Sequence, residues 1–196
     1  MDGQLKGYLE DLYIRGREHD GAKADRLERL RNVEPDTAQL LALLVRAIGA
    51  KRILELGTSN GYSTLWLADA ARSVGGRVLS VDVDRTRTAQ AAEHLASTQL
   101  DEHVELRSED AALTLAGADE GSIDMIFLDA ERPAYPDYWA DLIRVLRPGG
   151  LLVVDNVLSH ASEVQAFREL VGEEPRVSEA LVPTGAGALL VVMDPS

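Results

Sequence analysis

Cysteine is absent from the 196 residues, so the chain has neither a disulfide framework nor a thiolate metal site. No apolar stretch is long enough to span a membrane, and the opening MDGQLKGYLEDLYIRGRE has no signal-type apolar core. The expectation is a cytoplasmic protein with no membrane partner. Basic residues are in deficit: 20 Lys and Arg stand against 33 Asp and Glu, a formal net charge of -13. That counts against nucleic acid as the main partner, because phosphate backbones are met by clustered Lys and Arg. There are no repeats and no low-complexity tracts. At 45% hydrophobic and 27% charged residues the composition is that of an ordinary globular chain. The length suits one domain over residues 1–196, with residues 1–31 as a helical cap.

The chain is organised around Lys51 to Ser63, KRILELGTSNGYS. Arg52 to Leu56 is a short apolar run and Gly57 to Gly61 a run of turn formers, which reads as a buried strand entering a tight loop. Tyr62 to Ala71 then carries apolar residues at helical spacing. Strand, glycine loop and helix make the first half of a nucleotide-binding unit, in which the helix start favours an anionic ligand group. The GxGxxG spacing typical of NAD sites is absent, which favours a different adenosyl ligand.

The leading segments Gln4 to Glu18 and Ala22 to Arg31 read as two amphipathic helices, and Thr37 to Ile48 as a strongly apolar third with Pro35 in its first turn. Arg77 to Val83 alternates as a second strand with Asp82 at its end, about twenty residues past Gly61, where nucleotide folds place an acid for the ribose hydroxyls. Asp82 could instead cap the following helix, as could Asp84. Val104 to Arg107 is a third strand, followed by Ser108-Glu109-Asp110-Ala111. Ser122 to Leu128 is a nearly continuous apolar fourth strand ending in Asp129-Ala130-Glu131-Arg132, and Leu151 to Val154 is a fifth that runs into Asp155-Asn156. Between them Tyr135 to Leu146 reads as a helix closed by the turn Arg147 to Gly150, and Ala161 to Val171 reads as a further helix. Val177 to Val182 and Ala188 to Met193 are the last strands.

Alternating strands and helices imply parallel pairing, so both acidic strand ends fall on one edge of the sheet. If strands four and five are neighbours, their ends lie roughly 5 Å apart. Asp129, Asp155 and Asn156 can then converge on one cation. Two carboxylates and an amide oxygen are hard donors, suited to Mg²⁺, Mn²⁺ or Ca²⁺.

In its ELGTSNGYST form the glycine loop resembles motif I of S-adenosylmethionine (SAM)-dependent class I methyltransferases, and is similar to the small cation-dependent O-methyltransferases of the catechol and caffeoyl-CoA type (O-methyltransferase family 3). The resemblance covers about Asn32 to Met193. It implies an α/β Rossmann-like fold: a seven-stranded, mostly parallel sheet, its last strand antiparallel, flanked by helices. It implies a methyl-transferring enzyme, with SAM and Mg²⁺ as cofactors, a small hydroxylated, catechol-like acceptor, and a homodimer. Carried over residue by residue, the cofactor contacts are Val33, Glu55, Gly57, Ser59, Gly61, Tyr62, Ser63, Asp82, Val83, Asp110, Ala111, Asp129 and Tyr138. Asp110-Ala111 stand at the adenine, although Glu109 replaces the usual glycine. Asp129, Asp155 and Asn156 are the implied metal ligands.

Catechol-type members carry a lysine as general base three residues after the first of these acids, where this chain has Arg132. Arginine stays protonated. The proton then goes to Glu131 or a metal-bound hydroxide, or the metal alone or an acidic acceptor suffices, and Arg132 can attract a carboxylate or phosphate on the acceptor. The catalytic candidates are therefore Asp129, Glu131 and Arg132, with His160 at the pocket mouth. Two other readings stay open: a branch that methylates a hydroxylated tRNA base, and a SAM-binding module without turnover.

Overall fold

Seven strands, the central ones apolar on both faces, pair into one sheet. The computed structural model describes residues 1–25 and 28–195. The strands are β1 (Arg52–Leu56), β2 (Arg77–Val81), β3 (Val104–Arg107), β4 (Ile123–Leu128), β5 (Leu146–Val154), β6 (Val177–Val182) and β7 (Ala188–Met193), in the order β3-β2-β1-β4-β5-β7-β6. The pairs from β3 through β5 are parallel, whereas β7 runs antiparallel to both β5 and β6. The order reverses between β1 and β4, so a crevice opens at the carboxyl ends of the strands, where parallel α/β sheets bind ligands.

Alternation along each strand divides the core. Ile53, Phe127 and Val153 pack on one face under α1 (Gly3–Gly21), α2 (Pro35–Ile48), α3 (Tyr62–Val74) and Leu95 of α4 (Arg85–Ser97). Leu54, Leu128 and Val154 pack on the other under α5 (Ala111–Gly117), α6 (Tyr135–Val145) and α7 (Gln165–Glu173). This two-sided burial is why β4 and β5 read as unbroken apolar runs. Among the described residues, no helix is long and apolar enough to cross a membrane.

Three boundaries differ from the sequence reading. The described part of 22–31 forms no α-helix, and residues 26 and 27 lie outside the described residues. The Asp20 carboxylate reaches forward and accepts from the N–H of Leu30 (2.6 Å) and of Arg31 (2.8 Å), backbone groups a helix would have used itself. β5 starts at Leu146, with Arg147 to Gly150 inside it, because Leu146 pairs with Ile123 across a register shift. The last helix starts at Gln165, since the chain from Asn156 is drawn into turns, with the N–H groups of Leu158 and Ser159 both bonded to the Ala186 carbonyl.

Candidate active site

Four residues stand one step beyond their strands, and each stays in the ladder through its N–H. Gly57 donates to the Val81 carbonyl (2.8 Å), Asp82 to Arg107 (3.1 Å), Asp129 to Leu56 (2.9 Å) and Asp155 to Leu128 (3.2 Å). Sheet register thus delivers a glycine and three carboxylates to one rim. Above them is a cavity of about 900 Å³ whose walls include Gly57, Ser59, Asp82, Asp110, Asp129 and Asn156. Val33, Tyr62, Ser63, Val83, Ala111, Glu131, Arg132, Tyr138 and His160 also reach it.

Asp82 accepts from the Ser59 N–H (2.8 Å) through one oxygen and from the Asp84 N–H (2.9 Å) through the other, which fixes its carboxylate between the glycine loop and α4. The cap of α4 is Asp84, not Asp82, and it accepts from Thr86 and Arg87. Asp110 caps α5 through the Ala112 N–H (2.8 Å) while lining the cavity, so the two readings of that acid coexist.

Glu55 and Gly61 lie elsewhere than expected. Glu55 is wholly buried beneath the loop and does not line the cavity. Its carboxylate accepts from the hydroxyls of Ser63 (2.6 Å), Thr64 (2.5 Å) and Ser80 (2.5 Å), and so braces the loop from below. Gly61 turns toward α4, where an added Cβ would lie 2.8 Å from that of Ala91.

Burial raises the Glu55 pKa from 4.5 to about 7, against the pull of its three hydroxyls. A carboxyl raised on folding penalises the native state above its folded value and not below its unfolded one. Stability of Glu55→Gln relative to the parent is therefore expected to improve by about 2–3 kcal/mol as pH rises from 4.5 to 8. Urea titrations of both proteins across that range check this; parallel profiles would refute it.

Asp129 and Asp155 form the second centre. The Asn156 Nδ2 bridges them, donating to Asp129 Oδ1 (3.0 Å) and Asp155 Oδ2 (3.1 Å), and Asn156 holds a left-handed φ of 66°. Asp155 is 2% exposed, lies beneath the cavity wall, and its Oδ1 is buried with no hydrogen-bond partner. Burial, then the charge of Asp155, hold Asp129 well above the usual carboxylate range; burial raises Asp155 to about 6, with Glu34 adding to the effect. Two crowded carboxylates with an orphaned oxygen are what a dication would relieve, and a half-turn of the Asn156 amide exchanges its NH₂ for a third oxygen. Among the described residues no group of three His, Cys, Asp or Glu side chains can hold a metal. The donor set here is two carboxylates and an amide, a composition that fits a hard dication.

Arg132 is 3% exposed and its Nε donates to Glu163 (2.8 Å). It is an internal counter-ion beside the acid pair, not a free cation awaiting an anionic acceptor as the sequence allowed. Of the near wall, only Val33 was foreseen as lining the cavity. That wall is a strap, 28–34, held by Asp20, by the Ser59 hydroxyl on the Leu30 carbonyl (2.7 Å) and by Arg87 on the Arg29 carbonyl (2.9 Å). Glu34 at its end accepts from the Tyr13 hydroxyl of α1. The one local cue was the acid beside a helix-ending glycine, Asp20-Gly21.

The sequence model of the O-methyltransferase family matches residues 18–193. The chain belongs to the O-methyltransferase family. Its members are SAM-dependent enzymes, and the seven-stranded sheet with an antiparallel last strand agrees with that membership. The chain is 38% identical over 130 residues to a catechol O-methyltransferase of Niastella koreensis, a match spanning 65% of this chain and 58% of that protein. It is 33% identical over 175 residues to a putative O-methyltransferase of Mycobacterium bovis, covering 83% of this chain and 78% of the relative. Among solved structures, a putative O-methyltransferase from Klebsiella pneumoniae superposes with a TM-score of 0.81 at 32% identity, covering 99% of this chain and 91% of the other. An O-methyltransferase from Bacillus cereus, solved in complex with SAH, also gives 0.81, at 28% identity and with 99% and 92% covered.

Proposed function

We propose that this O-methyltransferase transfers the methyl group of SAM to a hydroxyl of a small catechol-like, oxygen-chelating acceptor, with a divalent cation held by Asp129, Asp155 and Asn156. One observation carries the reading: a buried carboxylate, Asp155, and a half-buried one, Asp129, on adjacent strand ends share a single amide bridge, on the same rim as the fixed carboxylate of Asp82. In this reading Asp82 accepts from the ribose hydroxyls, Asp110 and Ala111 edge the adenine, and Asp129 faces both cofactor and acceptor, a division supported by all four lining the cavity. A sulfonium-borne methyl needs only an aligned nucleophile, so the walls contribute proximity and orientation. A bound hard dication supplies Lewis acidity, which lowers the pKa of an acceptor hydroxyl.

The residues then divide the remaining work. Arg132, protonated and locked to Glu163, balances the charge of the acid pair and takes no proton. The Glu131 carboxylate, half exposed at the mouth and paired with Arg31 (2.8 Å), is the group placed to receive the hydroxyl proton. Incubation with methyl-labelled SAM, catechol and Mg²⁺ is expected to give labelled methyl ether, to stop on addition of EDTA and to resume with excess Mg²⁺. Equal rates with and without chelator would refute the cation's role.

A further inference from the structure

Arg31 is an arginine in the left-handed region, with a φ of 54°, a backbone state that only tight local constraint sustains. The constraint is visible: Asp20 grips its N–H and that of Leu30, while Ser59 holds the Leu30 carbonyl. The strap therefore presents Arg31 to the cavity in one orientation. Its neighbours sort the wall into two ends. Arg29 and Leu30 are held by α4 and the glycine loop, on the adenosyl side. Arg31 instead donates through Nη2 to Glu131 Oε1 (2.8 Å), two residues past Asp129, on the acceptor side.

The hydrogen-bonding capacity of this corner is not spent. The Arg31 Nε is buried without a partner, and so are both atoms of the Asn32 carboxamide, next along the same wall. Buried polar groups are ordinarily satisfied, and each one left open costs free energy that a ligand can return. The Glu131 partner is half exposed, so that ion pair is cheap to rearrange. Of the two arginines nearest the acid pair, Arg132 spends its Nε on Glu163, whereas the Nε of Arg31 has no partner. An unpaired guanidinium N–H beside an unpaired amide matches a carboxylate, whose one negative charge suits a corner already lined by Glu34, Asp129 and Glu131 better than a doubly charged phosphate would.

We infer that Arg31 and Asn32 form an oxyanion subsite, and that the preferred acceptor is a hydroxylated aromatic acid whose carboxylate they bind. The placement of the acceptor rests on the function proposed above, but the anion subsite can be probed without it. Benzoate, which has no hydroxyl to methylate or chelate through, is titrated into the SAH-loaded protein in EDTA, with benzyl alcohol as the uncharged control. The parent is expected to bind benzoate at least tenfold more tightly than benzyl alcohol, the scale of one charge-assisted contact. Arg31→Met and Arg31→Gln are expected to erase that preference, Arg31→Lys to keep part of it, and all three to hold SAH within about threefold of the parent.

With Mg²⁺ and SAM, 3,4-dihydroxybenzoate should then show a KM at least tenfold below that of catechol in the parent, and no advantage in Arg31→Met. No benzoate preference in the parent would overturn the inference. So would a parallel loss of SAH affinity in the variants, which would assign Arg31 to the carboxylate of the cofactor instead. Arg31-dependent benzoate binding without methylation of either catechol would leave the subsite standing and remove the proposed reaction.

Discussion

Asp155→Asn is expected to lower methyl transfer at fixed Mg²⁺ by about three orders of magnitude, the several kcal/mol of transition-state stabilisation a Lewis acid provides. SAM affinity should stay within about threefold, since Asp155 lies beneath the cavity wall and does not line it. The same substitution should make the metal-free protein more stable. Asp155 is 2% exposed, crowds Asp129 and leaves Oδ1 without a partner, so its charge is a cost until a cation is present. A gain of about 1 kcal/mol would raise Tm by roughly 2–4 °C in a chain of this size. Activity and stability thus move in opposite directions, a pairing that ordinary core damage cannot imitate. Thermal melts in EDTA and initial rates in Mg²⁺ on one preparation test both. Unchanged rates would remove the cation from the mechanism, and a lower Tm would show that Asp155 is held by interactions other than those seen.

The opposite signs have a structural source. Parallel pairing fixes where a residue beyond a strand must lie, whatever its charge, so β4 and β5 bring Asp129 and Asp155 together because Leu128 and Val154 are in register. That much was legible in the sequence, since strands covered on both faces are continuous apolar runs and alternation with helices makes them parallel. Asp82 was legible by the same logic.

Glu55 was not, because periodicity says that a strand residue is buried without saying that three hydroxyls wait for it on the far side. Ser63 and Thr64 come from the next helix and Ser80 from the neighbouring strand, and only the folded sheet gathers them. The strap escaped for a related reason. Leucines at helical spacing made 22–31 read as a helix, and the competing partner for its N–H groups is Asp20, ten and eleven residues back from Leu30 and Arg31. Local pattern has no access to contacts at that range. A consequence is that the sequence offered Arg132 as one possible anion reader and passed over Arg31, whereas the fold buries Arg132 against Glu163 and brings Arg31 to the cavity wall.

Gly57→Ala is expected to cost about 4 kcal/mol of stability, combining a backbone strained by a side chain at positive φ with overpacking against a neighbouring strand. The φ there is 110°, and an added Cβ would lie 2.3 Å from the Asp129 carbonyl oxygen and 2.7 Å from its carbon. Neither party can give way locally. Gly57 is tied to β2 through the Val81 carbonyl, and Asp129 to β1 through the Leu56 carbonyl. Relief must therefore spread the ends of β1 and β4, which moves Asp129 away from Asp82 on the β2 side of the gap. SAM affinity should fall by more than about a hundredfold, even where the variant is still folded, because misplacement by about 1 Å is enough to lose that much. Gly75→Ala separates the two causes. Its φ is 70°, also positive, but nothing lies within 4 Å of its would-be Cβ. It should cost only about 1 kcal/mol and leave SAM binding intact. Calorimetric titration with SAH and urea unfolding of the two variants decide the matter. Equal losses in both would trace the effect to backbone strain alone, and normal SAH affinity in Gly57→Ala would show that the rim tolerates a wider gap than the one that brings its carboxylates together.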